Sequence, residues 1–328
     1  MKAIVHAVPP APPAPLVWAE VPDPVAGPGE VLLRVHATSV NRADLLQVRG
    51  HYPPPPGASP LLGLEAAGVI AALGPGVEGW RVGDRAMSIL GGGGYAEGVV
   101  VDARHLLPVP DRMSLHVAGA VPEVFMTAWL NVLRLAGLRT GERVLIHGGS
   151  GGVGTAAIQL ARSVGAEVWT TAGGPERCAR CLALGADVAL DHRDAKVDFA
   201  ARLQDAGGAD VVLDVMGAKL LDRNLRALAP GGRLVVIGLQ GGRKAELDLG
   251  RLLAARLTLI GSTLRGRSAD DKADLAAAFQ AQVGPWLSEG RVRPVIDAAL
   301  SLPDAEAAHQ RMAAGEHFGK IVLCAPGT

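Results

Sequence analysis

The chain has 328 residues, enough for two domains, and its 32 basic residues balance its 32 acidic ones. That balance argues against nucleic acid or an anionic membrane as the main partner. No apolar run reaches the roughly 18 residues of a membrane span, and the N-terminal segment lacks the apolar core of a secretion signal. Three cysteines are too few for a disulfide framework, so the expected setting is the cytoplasm.

Along the first ~120 residues, short strands alternate with Pro and Gly, as in a compact all-β unit. Strands are predicted at 2–5, 30–38, 68–73, 85–89 and 94–101, with the prolines at 9–15 in a loop. From about residue 118 the texture changes to a helix over 118–136 and then to βα repeats. Their strands are predicted at 143–148, 166–171, 187–190, 210–215, 233–238 and 257–262. A long Ala-rich helix follows over 269–289, then a strand at 295–300, a helix at 304–315 and a last strand at 319–323. That last strand has no place in a finished six-stranded sheet. It is expected to return to the N-terminal β unit, which makes that unit discontinuous.

The stretch 144–154, VLIHGGSGGVG, carries the most information. An apolar run breaks into a glycine turn and then a helix, and the N–H groups of that helix suit an anion such as a dinucleotide pyrophosphate. The candidate cradle is Ser150, Gly151, Gly152, Val153 and Gly154. Gly148, Gly151 and Gly154 are spaced GxxGxxG rather than GxGxxG, so the string alone leaves a purely structural corner open. The second strand ends in Thr170-Thr171-Ala172-Gly173-Gly174, without the carboxylate that accepts from ribose hydroxyls in NAD-binding domains. Ligands of open α/β sheets bind at the carboxyl ends of strands, which nominates Gly238 and Leu239, and Ser262, Thr263, Leu264 and Arg265. Cys178 and Cys181 form a CxxC, read as a redox pair, half a zinc site, or packing residues of a helix; no second Cys/His pair lies nearby.

Several strings in order carry a resemblance: Asn41-Arg42-Ala43-Asp44-Leu45-Leu46-Gln47, Tyr52-Pro53-Pro54-Pro55-Pro56-Gly57-Ala58-Ser59, Leu62-Gly63-Leu64-Glu65, the glycine turn, and Gly319-Lys320-Ile321-Val322-Leu323. Together they resemble the medium-chain dehydrogenase/reductase superfamily, and within it the zinc-free, zeta-crystallin-like quinone oxidoreductases, in the tumour-suppressor-inducible branch. The resemblance implies an α/β protein with a GroES-like β domain (1–120 and 291–328) and a doubly wound Rossmann domain with a parallel sheet (121–290). It implies NADPH as cofactor and an active site in the cleft between the two. Zinc-dependent relatives carry a GHE string where this chain has Gly63-Leu64-Glu65, a cysteine near 40–42, and a cysteine lobe where it has Leu90-Gly91-Gly92-Gly93-Gly94. No zinc is therefore expected, and Glu65 and Asp44 read as ion-paired structural residues.

Arg177 stands where related enzymes carry a lysine for the 2′-phosphate, and a guanidinium binds a phosphate in bidentate fashion. Gly174 replaces a common serine, and His192 is expected at the adenosine end. Lys320 reaches the cofactor in this family, with a cross-domain salt bridge as its competing role. By the same resemblance Tyr52 and Asn41 stabilise charge on the substrate oxygen, and Thr127 orients the nicotinamide. The expected activity is transfer of reducing equivalents from NADPH to a quinone or other electrophilic carbonyl compound. Reduction of an enone, alkenal or enoyl C=C bond, and NADPH binding without catalysis, are the alternatives. The apolar edge at 257–261 would invite aggregation if exposed, so a homodimer is expected.

Overall fold

A computed structural model describes residues 1–6 and 15–327. Most of the proline loop expected over 9–15 therefore lies outside the described residues. The chain divides into two compact units, Met1–Met126 with Leu264–Thr328, and Thr127–Thr263.

The first unit is built on a mixed sheet. Its strands run in the spatial order Ile296–Ser301, Lys320–Cys324, Glu30–Ser39, Glu65–Leu73, Arg85–Ile89 and Leu106–Pro108, and Gly98–Asp102 also pairs with Glu30–Ser39. Along that long strand Val31, Leu33, Val35 and Ala37 are buried, the alternation of a half-covered surface. Val31, Leu33 and Val35 pack with Ala66, Ile70, Ala86 and Val99 into one core, whereas Ala37 packs with Ala120 and Val322. Register shifts at Leu32/Leu33 and Val35/Ala37 bend the strand, so different parts of it pair with different neighbours. Lys2–Val5 and Val17–Glu20 form a separate antiparallel pair.

The last strand does return to this unit, antiparallel to Glu30–Ser39, with Val322 opposite Ser39. The expected boundary at 290 moves to 264. The long helix Ala269–Ser288 belongs to the first unit, where His105 Nε2 bonds Ala269 O at 2.8 Å and Arg104 pairs with Asp270. The single helix expected over 118–136 is instead Leu115–Ala118 and Pro122–Ala128, continued as a wider π-type turn over Trp129–Leu135. Asn131 Nδ2 donates to Thr127 O at 2.8 Å at the start of the widened stretch.

The second unit is a doubly wound sheet of six parallel strands. Their order is Val188–Asp191, Glu167–Ala172, Arg143–His147, Ala209–Asp214, Leu228–Val236 and Thr258–Gly261. The apolar runs read from the sequence are the central strands, with Val144, Leu145 and Ile146 fully buried. Each such side chain contributes about 1.5–3 kcal/mol over its exposed state. The chain reverses winding direction between Arg143–His147 and Ala209–Asp214, and the carboxyl ends of strands at such a reversal are where α/β sheets bind ligands.

Candidate active site

In the second unit the turn after Arg143–His147 is held by side chains from its neighbours. Thr170 Oγ1 donates to Ile146 O at 2.7 Å, and Thr171 Oγ1 accepts from Gly148 N at 3.3 Å. His147 bonds Thr171 Oγ1 at 3.0 Å and Asn224 Oδ1 at 2.7 Å, and burial pushes its pKa down to about 4, so it is a neutral structural histidine. Gly148 takes φ +72°, and a Cβ on Gly154 would lie 2.2 Å from Gly148 O. These two positions need glycine, one for the reversal and one for close helix–strand approach. Helix Gly152–Ser163 starts at Gly151 with no side-chain cap. The N–H groups of Gly152, Val153 and Gly154 thus have no intrahelical acceptor and point out of the turn that Ser150 and Gly151 complete. This cradle fits a dinucleotide pyrophosphate.

Beside it, Glu167–Ala172 runs into Gly173 and Gly174, and Gly174 N donates to Asp191 Oδ1 at 2.8 Å. Arg193 N donates to the same oxygen at 2.9 Å, so backbone groups hold Asp191. His192 is pushed below its ordinary pKa by partial burial and by Arg193, Arg177 and Lys219, against the pull of Asp191. Arg177, Arg193 and Lys219 therefore all lie close enough to act electrostatically on His192. Arg193 and Lys219 were not singled out in the sequence. His192 and Arg193 cover Gly173, where an added Cβ would lie 3.0 Å from Arg193 Nε. Cys178 and Cys181 are buried free thiols, and burial raises Cys181 to about 12, so they pack rather than react.

Gly238 and Leu239 follow Leu228–Val236; Leu239 is exposed, and Gly238 lies against Val215, whose carbonyl an added Cβ would meet at 2.7 Å. Ser262 and exposed Thr263 follow the edge strand, and the Ser262 hydroxyl is buried with no partner among the described residues. Thr127 is half-buried at the start of the second unit.

The first unit holds a dense buried network. Glu65 is fully buried, and its Oε1 accepts from the Ser39 hydroxyl and from Asn41 Nδ2 at 2.9 Å, and pairs with Lys320 Nζ at 3.0 Å. Its Oε2 accepts from Glu123 N at 2.9 Å. Lys320, 2% exposed, also donates to Val40 O at 3.0 Å and Asn41 Oδ1 at 2.6 Å. Asp44 accepts from Asn41 N at 2.8 Å and Gly63 N at 3.0 Å, and burial raises its pKa to about 6.

This network corrects three expectations. The three protons of the Lys320 ammonium meet three acceptors, so it is not available to a cofactor, and its salt bridge is internal to the first unit rather than cross-domain. Both amide protons of Asn41 are engaged, by Glu65 and by Ser39 O at 3.3 Å, so none is left for a substrate oxygen. Leu264 and Arg265 are buried in the first unit rather than closing a strand of the second. Arg265 donates to Gly91 O at 2.9 Å, Tyr52 O at 3.1 Å and Gln47 Oε1 at 2.6 Å. Asp44 is held by hydrogen bonds rather than by an ion pair, whereas Glu65 is ion-paired as expected.

Tyr52 keeps its candidacy. It is half-buried with the Arg265 guanidinium 5.3 Å from its ring centroid, and burial and Glu123 raise its pKa while Arg265 lowers it. Lys272, on the long helix, also faces Glu123, with its pKa lowered by burial. Neither Glu123 nor Lys272 belongs to a motif, and only the folded chain brings Glu123 to Tyr52 and Lys272 to Glu123.

Residues 27–111 match the alcohol dehydrogenase GroES-like domain, and residues 152–281 match the zinc-binding dehydrogenase model. The chain belongs to the medium-chain dehydrogenase/reductase family, with a GroES-like domain and a Rossmann-type domain. Over 99% of its length it superposes on 100% of mycobacterial Rv1454c, solved in complex with NADPH, at a TM-score of 0.87 and 30% identity. The apo JamJ enoyl reductase gives a TM-score of 0.84 and 27% identity over 95% of each chain. The spectinabilin polyketide synthase system protein NorB of Streptomyces orinoci is 38% identical over 95% of this chain. The chain spans only 14% of NorB, so the activity of that whole protein is not carried over by the match. The zinc that the second model's description implies does not fit these residues. Leu64 offers no donor, and the Glu65 oxygens are taken up by Ser39, Asn41, Lys320 and the Glu123 amide. Among the described residues no helix is long and apolar enough to cross a membrane.

Proposed function

We propose that the chain is an NADPH-dependent reductase of an activated carbon–carbon double bond, with an enoyl thioester as its substrate class. The observation that carries this reading is the likeness of nearly the whole chain to a solved enoyl reductase and to a polyketide synthase protein. It favours the alkene alternative over the quinone reading implied by the NRADLLQ and YPPPPGAS strings.

Bound NADPH supplies a hydride from its nicotinamide ring. The chain's own residues do the rest. Gly152, Val153 and Gly154 hold the pyrophosphate through backbone N–H groups, and Arg177, Arg193 and Lys219 favour a 2′-phosphate over a bare ribose. Ser262, Thr263 and Leu239 lie at strand ends suited to the nicotinamide half, and Thr127 keeps its proposed orienting role. Tyr52 donates to the thioester oxygen as negative charge develops there. The edge strand Thr258–Gly261 pairs on one side only and leaves Leu259 38% exposed, which supports the expected homodimer.

The test is steady-state oxidation of NADPH with crotonyl-CoA, alkenals, and ortho- and para-quinones. Efficient thioester turnover with negligible quinone turnover is expected. Quinone turnover without alkene reduction would overturn the reading, as would tight NADPH binding with no oxidation by any acceptor.

A further inference from the structure

We infer that Glu123 is the acid that delivers the proton completing the reduction. This rests on the alkene reading above, because an alkene needs a proton at carbon whereas a quinol takes its protons from solvent.

The first support is placement. Glu123 sits in the first turn of helix Pro122–Ala128, and its backbone N–H is pinned to Glu65 Oε2 at 2.9 Å. That bond ties the helix start to the Glu65–Lys320–Asn41 network and fixes where the side chain departs. Among the described residues no hydrogen bond engages the Glu123 carboxyl, although the residue is half-buried. The contrast with Glu65 and Asp44 is sharp, since both of those carboxylates are enclosed by donors. A half-buried carboxyl left without a partner is one whose proton is available to a ligand.

The second support is company. Tyr52, Arg265 and Lys272 all lie close enough to interact electrostatically with Glu123. The charged and titratable groups facing Glu123 are Glu65 and Asp44, which favour its protonated form, and Lys320 and Arg265, which oppose it. Tyr52 and Lys272 complete the surround. Burial and the Glu65 carboxylate dominate, so the Glu123 carboxyl is raised to about 8 and carries its proton at neutral pH. An acid working near neutrality needs a pKa in that range.

The step balances. As hydride bonds to the β-carbon, the alkene π electrons move toward the α-carbon and thioester oxygen, where Tyr52 donates a hydrogen bond. The O–H bond of Glu123 breaks and a C–H bond forms at the α-carbon. The carboxylate left behind is reprotonated from solvent. One NADPH and one proton are consumed for each double bond reduced.

The experiment compares the wild type with Glu123→Gln, which keeps the shape and removes the acid. Both are assayed with NADPH and crotonyl-CoA across pH 5.5–9.5, with NADPH affinity followed by fluorescence and folding by thermal melting. Products formed in D2O are examined for deuterium at the α-carbon. The wild type should lose kcat as pH rises through about 8 and place deuterium on one face. Glu123→Gln should bind NADPH as the wild type does, lose roughly 100- to 10,000-fold in kcat, lose that descending limb, and label both faces. If it misfolds, Glu123→Asp serves instead, with a shifted limb and reduced kcat expected. A variant with wild-type kcat, pH limb and one-face labelling would overturn the role of Glu123 and leave the alkene reading standing. Absence of crotonyl-CoA turnover by the wild type would overturn both.

Discussion

The two units handle polar groups in opposite ways. Around Glu65 in the first unit, Lys320, Asn41 and Ser39 satisfy one another almost completely. Around the glycine turn of the second unit, the helix start has no side-chain cap, and Asp191, beside several cations, is held by backbone N–H groups. A closed network holds a fold, whereas backbone N–H groups left without an intrahelical acceptor suit an anion. The same contrast recurs inside the first unit, where the unpartnered Glu123 carboxyl adjoins the closed network.

The contrast can be broken most severely at Lys320. Lys320→Met leaves the fully buried Glu65 without its cation and should cost about 3–5 kcal/mol, read as a lower urea midpoint for the first unit. Little change would mean that the Glu65 network does not hold this unit. Gly154→Val drives a side chain into Gly148 O and should weaken NADPH binding by at least ~100-fold, about 2.7 kcal/mol, in a fluorescence titration. Unaltered affinity would remove the turn from the binding site.

The cation cluster offers a finer test. Arg177→Glu should weaken NADPH by about 1.5–3 kcal/mol while leaving NADH unchanged or improved, and Arg193→Glu should act in the same direction more weakly. Equal losses for both cofactors would show that neither arginine reads the 2′-phosphate.

The smallest effect is on pH-dependent stability. Asp44 and Glu123 have raised folded-state values, about 6 and about 8, so their contribution falls as pH rises through those values. His147 and His309 are lowered to about 4, so their contribution rises with pH from about 4 to their ordinary value of 6.5. The opposing pairs offset each other at acid pH. Between pH 6.5 and 8 the Glu123 carboxyl is still losing its proton, and stability should drop by on the order of 1 kcal/mol. Denaturant midpoints across that window should flatten in Glu123→Gln; an equally steep drop would assign the effect elsewhere.

Much of the architecture was legible because it depends on local patterning. Continuous apolar runs marked the parallel strands, and the leftover strand at the C-terminus announced its return to the first unit. Local patterning does not mark Val17–Glu20 and Leu106–Pro108, short strands whose pairing depends on distant partners. The helix Ala269–Ser288 was recognised but placed in the wrong unit, because its sequence does not encode that His105 and Arg104 receive its first turn.

Alone, the sequence determined the two-unit plan, the glycine turn at 148–154 and the loss of a ligating side chain at Leu64. These follow from residue type and spacing, which act over a few positions. Tertiary structure decided that Lys320, Asn41 and Arg265 are consumed internally, that Arg193 and Lys219 join Arg177, and that Glu123 is left unpartnered. Whether a donor or acid is free depends on every group within reach of it, and those groups come from distant parts of the chain.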